Sequence, residues 1–222
     1  MTDYHSGWAD HEARIEAEWR RLVHPHDLVL VPGDITFAKD PHPDLLRLHR
    51  LPGQKVIVPG NHDRWAQGVT RVKIRELLEP YPTLHMLSHA HPTYETGPHL
   101  IVGYSGAEPP DSPTFRPRTG RKYHDKAVSN ARDAARAAMA VRSSSHVVIV
   151  ITHYPPSLAE REAMSELGPA LWLHGHCHRL GLDEPKVDEW SRRTAPLQVC
   201  ISADYLSMKP IQVTGGFVHS YI

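Results

Sequence analysis

Lys55-Val56-Ile57-Val58-Pro59-Gly60-Asn61-His62-Asp63 carries in nine residues the two features that decide how this chain is read. Lys55 to Val58 is a short, largely apolar run of the kind that forms a buried strand, and Pro59-Gly60 ends it. Three polar residues able to bind metal or substrate, Asn61, His62 and Asp63, follow at once after Gly60. The stretch could be an ordinary polar turn, but a turn so rich in donors at the end of a buried strand points to function.

The same grammar recurs along the chain. Asp27 to Val31 is an apolar strand ended by Pro32-Gly33, with Asp34 next. His146 to Thr152 is the clearest strand and runs into His153. Leu171 to Leu173 leads into His174, Gly175, His176, Cys177 and His178. Ligands in open α/β sheets gather beyond the carboxyl ends of the strands, so four clusters in these positions can converge. Asp, Asn and His together make a mixed oxygen and nitrogen donor set, suited to Mn, Fe or Zn. Taken singly, Gly33-Asp34 is also a common turn signal, and His153 reads equally as an interior histidine. His174 to His178 could be a structural zinc clip with Cys177 as thiolate, although that reading leaves Asp34 and Asn61 unexplained.

Between these strands, residues 8–23, 43–50, 70–78 and 125–142 read as helices, the last one alanine-rich. Leu84 to Leu87 and Leu100 to Val102 read as strands, and Leu197 to Ser202 and Ile211 to Thr214 are expected to close the sheet. Tyr104 to Tyr123, with four prolines and two glycines, reads as a long loop. Strands alternating with helices predict an α/β fold whose sheet is covered on both faces.

Composition narrows the partners. The 222 residues suit a single domain spanning 1–222, and 25 basic against 25 acidic residues give a formal charge of zero. That balance does not indicate nucleic-acid binding. The longest apolar run, Val147 to Ile151, is too short for a membrane span, and Met1 to Ala13 lacks the apolar stretch of a signal peptide. Two cysteines give no disulfide framework, so a cytoplasmic location is expected. Oligomeric state is not legible.

The ordered set Gly33-Asp34, Gly60-Asn61-His62-Asp63, Thr152-His153 and Gly175-His176-Cys177-His178 resembles the calcineurin-like metallophosphoesterase superfamily, in a bacterial branch of it. The resemblance implies a four-layer α/β/β/α sandwich with a two-metal site between the strand ends. It makes Asp34 the carboxylate bridging both metals. Asn61, His153 and His176 complete the second metal site, and His178 joins Asp34 on the first. His62 becomes the catalytic histidine beside the leaving-group oxygen, oriented by Asp63. The implied activity is hydrolysis of a phosphomonoester or phosphodiester, a small substrate, by a metal-activated water. The implied cofactors are divalent cations, Mn first, with Fe, Zn or Ni as alternatives, two of them in an intact site.

One part of that pattern is absent. The family opens on a strand bearing D-x-H, and here Asp3-Tyr4-His5 has only Met1 and Thr2 before it. A start placed too late, a shortened chain or a lineage that lost the strand would each leave the first metal with Asp34 and His178 alone. The alternative function is then a weakened, partly metal-depleted relative acting as a binding or scaffold protein. Arg64 and Trp65 could contact substrate or simply be exposed and packed, respectively. Arg116, Arg118, Arg121 and Lys122 could clamp a phosphate or line a solvated loop edge.

Overall fold

The computed structural model describes residues 10–178, 196–204, 206–214 and 217–219. Two parallel-dominated sheets lie at the centre. The first contains β1 (Leu28–Val31), β2 (Gln54–Ile57) and β3 (Leu84–Met86) in that order, all parallel. The second runs β4 (Thr93–Thr96), β5 (His99–Tyr104), β6 (Val147–Thr152), β7 (Leu171–His174) and β8 (Leu197–Cys200), parallel except for the antiparallel β4–β5 pair.

Strand residues alternate between two cores, which is why the central strands are apolar along their whole length. Val56, Ile101, Ile149, Ile151, Leu171 and Leu173 point inward and join the sheets face to face. Gly103 lies in this interface, where an added Cβ would come within 2.7 Å of Val58 and 2.8 Å of Leu87, so the sheets meet closely there. On the outer face of the second sheet, Val148, Val150 and Trp172 pack on Ala131, Ala134 and Ala138 of α4 (Pro117–Val141). Small residues on that helix face let it lie close to the sheet. On the outer face of the first sheet, Ile57 packs with Leu45 of α2 (His42–Arg50) and Leu78 of α3 (Arg71–Leu78). The result is helix, sheet, sheet, helix: the four-layer sandwich.

Four differences from the sequence reading have local causes. The helix α4 begins at Pro117, not at residue 125, because Pro is favoured at the first helical turn, where no N–H is needed. The long loop is therefore 105–116. The strand β4 was not expected; Thr93-Tyr94-Glu95-Thr96 is a half-exposed edge with little hydrophobic signal. The short helix α5 (Leu158–Ala163) is started by a capping box in which Ser157 and Glu160 bond reciprocally. Finally, β8 does extend the large sheet, but β9 (Gln212–Thr214) pairs antiparallel with β10 (Phe217–His219) in a separate two-stranded sheet. The first helix, α1 (His11–Leu22), lies within the expected segment and buries Trp19. Among the described residues, no helix is long and apolar enough to cross a membrane.

Candidate metal centre

The loops leaving β1 and β2 cross almost in contact. Gly33 has φ 91°, and a Cβ there would stand 2.4 Å from the Gly60 nitrogen. A Cβ on Gly60 would stand 2.1 Å from Asp34 Oδ1. Only two glycines can cross this way, and the crossing turns Asp34, itself at φ 58°, into the space beyond the strands.

Asp63 locks the crossing. Its buried carboxylate accepts the backbone N–H groups of Asp34 (2.7 Å) and Gly60 (2.9 Å) on one oxygen. The other oxygen accepts those of Ile35 (2.9 Å) and Thr36 (3.1 Å) and the Trp65 indole N–H (3.2 Å). Burial pushes the Asp63 pKa up, against the pull of the Gly60 and Thr36 N–H groups. These bonds correct the expectation that Asp63 orients the His62 ring: its acceptor capacity is directed to the loop backbone and Trp65. The same bond accounts for Trp65, while Arg64 is exposed.

The second sheet supplies two histidines. His153 follows β6 and is 1% exposed, with its Nδ1 2.7 Å from the Pro32 carbonyl oxygen. His176 follows β7 with φ 65°, and the Gly175 N–H donates to the His153 carbonyl at 3.0 Å. The ring of Tyr154 lies against both imidazoles, with centroids 5.1 Å from His153 and 4.2 Å from His176.

Four donor atoms from the two sheets meet in one place. His153 Nε2 is 2.7 Å from Asn61 Oδ1, 3.1 Å from His176 Nδ1 and 3.5 Å from Asp34 Oδ2. His176 Nδ1 is 3.0 Å from Asn61 Oδ1. The Pro32 carbonyl can only accept, so His153 carries its proton on Nδ1 and turns a lone pair toward the Asn61 oxygen. Burial pushes the His153 pKa down to about 4, so no second proton relieves that contact at neutral pH. With Asn61 Oδ1 turned toward the imidazoles, two acceptors face one another at 2.7 Å, an arrangement that a cation would satisfy. Ligands each about 2.1 Å from a shared ion lie roughly 3–3.5 Å apart, so the spacing fits. Asp34, His153 and His176 form the metal-competent group of His, Cys, Asp and Glu side chains among the described residues.

The other expected residues are placed differently. His62 donates its backbone N–H to Asp34 Oδ1 at 2.9 Å and stacks its ring on the exposed Phe37, centroids 4.1 Å apart. It lines a cavity of about 890 Å³ together with Asp34, His153, His176 and His178. His178 does not join the convergent group. Its Nδ1 is 3.4 Å from Asp204 Oδ1, a hydrogen bond that raises its pKa. Asp34 and His178 nevertheless line the same cavity, with His178 outside the tight group of Asp34, His153 and His176 among the described residues. His174 points away to the outer side of the sheet, buried, its pKa pushed down to about 4 by that burial. Cys177 faces Cys200, whose thiol lies 3.9 Å from the Cys177 carbonyl oxygen, and takes no part in a zinc clip. Arg116, Arg118, Arg121 and Lys122 are exposed at the start of α4 and do not line the cavity. Asp3 and His5 lie outside the described residues.

One residue at this centre escapes a sequence reading. Glu108, in the 105–116 loop, places Oε2 3.1 Å from His176 Nε2. The loop itself carried a functional signal through its length, but nothing local singles out this glutamate from its neighbours.

No curated protein matches the chain significantly. Among solved structures, the chain is similar to the crystal structure of Phosphopantetheinyl Hydrolase (PptH) from Mycobacterium tuberculosis. That likeness has 16% identity and a TM-score of 0.47, and covers 76% of this chain and 78% of that one. Residues 1–180 match the family profile described as calcineurin-like phosphoesterase. With that match spanning all four donors at their strand ends, the chain belongs to the calcineurin-like phosphoesterase family.

Proposed function

We propose that this protein hydrolyses a small phosphomonoester or phosphodiester with a divalent cation held by Asp34, Asn61, His153 and His176. The observation that carries the reading is the convergence of three further donor atoms within 2.7–3.5 Å of His153 Nε2, with acceptors facing one another. A cation there supplies Lewis acidity toward phosphate oxygens and lowers the pKa of water. The mixed oxygen and nitrogen donors favour Mn, with Fe, Zn or Ni as alternatives.

The chain's own residues supply the rest. Asp34 accepts the His62 N–H, which ties the histidine to the centre. The stack on Phe37 holds the His62 imidazole in the open cavity, where it can give a proton to a departing alkoxide. Asp63 fixes the separation of the Asp34 and Asn61 loops. A zero formal charge supports a small substrate over a nucleic acid, and two cysteines present as free thiols support a cytoplasmic location.

One observation favours a second reading, a weakened enzyme holding one cation: His178 is bonded to Asp204 and stands apart from the convergent group. Metal analysis together with hydrolysis of bis-p-nitrophenyl phosphate, with and without Mn²⁺, separates the two. Mn²⁺-dependent turnover that disappears in Asn61→Ala and His153→Ala supports the phosphoesterase. One bound equivalent without turnover supports the second reading, and no bound metal in excess Mn²⁺ refutes both.

A further inference from the structure

We infer that Glu108 is a positioning residue that sets the tautomer of His176 and thereby keeps the donor cluster ready for a cation. The inference rests on the cation reading above and concerns a residue outside the strand-end motifs.

The Glu108 carboxylate is held at both ends. The hydroxyls of Ser112 and Thr114, from the same loop, donate to Oε1, the latter at 2.6 Å. Oε2 is thereby left facing His176 Nε2 at 3.1 Å. An ionised carboxylate only accepts, so Nε2 must carry the proton. In a neutral imidazole the lone pair then sits on Nδ1, the atom 3.0 Å from Asn61 Oδ1 and 3.1 Å from His153 Nε2.

The alternative tautomer shows why this matters. With its proton on Nδ1, His176 would donate to Asn61 Oδ1 across that same 3.0 Å. The cluster would close on itself through an ordinary hydrogen bond, and a cation would have to displace the proton. Glu108 removes that option by giving Nε2–H the better acceptor. The Pro32 carbonyl does the same for His153 from the opposite side. The ring of Tyr154, 4.2 Å away, packs against His176 and limits reorientation by rotation. Partners of this kind behind a metal-ligating histidine fix both ring orientation and proton placement.

The test uses the whole protein. In metal-free, ¹⁵N-labelled samples, long-range ¹H–¹⁵N spectra of the imidazoles report the His176 tautomer, assigned by its absence in His176→Gln. Wild type should show Nε2–H, and Glu108→Ala should gain Nδ1–H. Glu108→Gln should keep Nε2–H because its amide oxygen still accepts. Titration with Mn²⁺, following the free ion by EPR, should show affinity weakened about 10–100-fold in Glu108→Ala and within about threefold of wild type in Glu108→Gln. Wild-type tautomer and affinity in Glu108→Ala would overturn the inference. So would a Gln variant as weak as the Ala one, since acceptor geometry would then not be what matters. If Glu108→Ala does not fold, Ser112→Ala, which loosens the carboxylate, takes its place with the same directions at smaller amplitude. Failure of wild type to take up Mn²⁺ would refute the cation reading, while the tautomer of the metal-free protein would still decide the part played by Glu108.

Discussion

Asp63→Asn isolates the clamp that joins the two site loops. The substitution is nearly isosteric and leaves one acceptor oxygen where the carboxylate had two. If the amide nitrogen takes the place of Oδ2, the N–H groups of Asp34 and Gly60 meet a donor. If it takes the place of Oδ1, three donors are left facing it: Ile35, Thr36 and Trp65. The first orientation therefore prevails, and two buried N–H groups lose their partner. Each orphaned donor costs about 1–3 kcal/mol, so the variant should lose roughly 2–6 kcal/mol of stability. Urea unfolding at pH 7 with an unchanged slope is the measure. Mn²⁺ affinity should fall as well, because the crossing that positions Asp34 and Asn61 is loosened. A loss below about 1 kcal/mol would show that water or a backbone shift replaces the clamp, and that the carboxylate does not hold the site together.

Three further outcomes are expected. His62→Ala should lower turnover by about 10²–10⁴ while Mn²⁺ uptake stays the same, and loss of metal would mark His62 as a ligand. Gly60→Ala places a Cβ 2.1 Å from Asp34 Oδ1 and 2.4 Å from its backbone nitrogen, so Asp34 must move. Turnover should drop about 10²-fold, and a crystal structure with Asp34 in place and full turnover would contradict the close crossing. Lys55 is fully buried beneath the end of α2, donating to the His49 and Leu51 carbonyls, and burial lowers its pKa to about 8. The unfolded chain keeps that proton to about pH 10.4, so between the two values it binds more protons than the fold, and stability should rise with pH by up to about 3 kcal/mol. Urea unfolding at pH 7.5 and 10 should show that rise in wild type and not in Lys55→Met; parallel slopes would count against it.

What was legible in the sequence follows from where the information lies. The strands β2, β6 and β7 are largely buried and the half-buried β1 is apolar throughout, so all four appear as mainly apolar runs, and Pro-Gly pairs or polar clusters mark their ends. Asp34, Asn61, His153 and His176, which the fold brings together, stand out in the sequence because each follows such an end by one to four residues. The edge strand β4 was missed because it buries little, and the start of α4 was missed because Pro117 reads equally as loop or first turn. The parts played by Asp63 and Glu108 depend on approach in space. Three of the five donors to Asp63 come from 27 to 29 positions earlier in the chain, and Glu108 meets a histidine 68 positions later. No local pattern encodes either meeting. His178 stands at motif spacing, yet Asp204, 26 residues on, competes for it.

Asp34 and Asn61 hang from the three-stranded sheet, while His153 and His176 hang from the five-stranded one. A cation among them would be a cross-link between the two halves of the sandwich, added to the His153–Pro32 hydrogen bond at that end. Thermodynamic linkage then makes the ion a folding ligand: at a free concentration of about 100 times its Kd it would add about 2.7 kcal/mol to stability. Any sliding of one sheet over the other would separate the donors and release it. Metal supply would therefore set how long the protein survives heat or proteolysis, independently of any substrate it turns over.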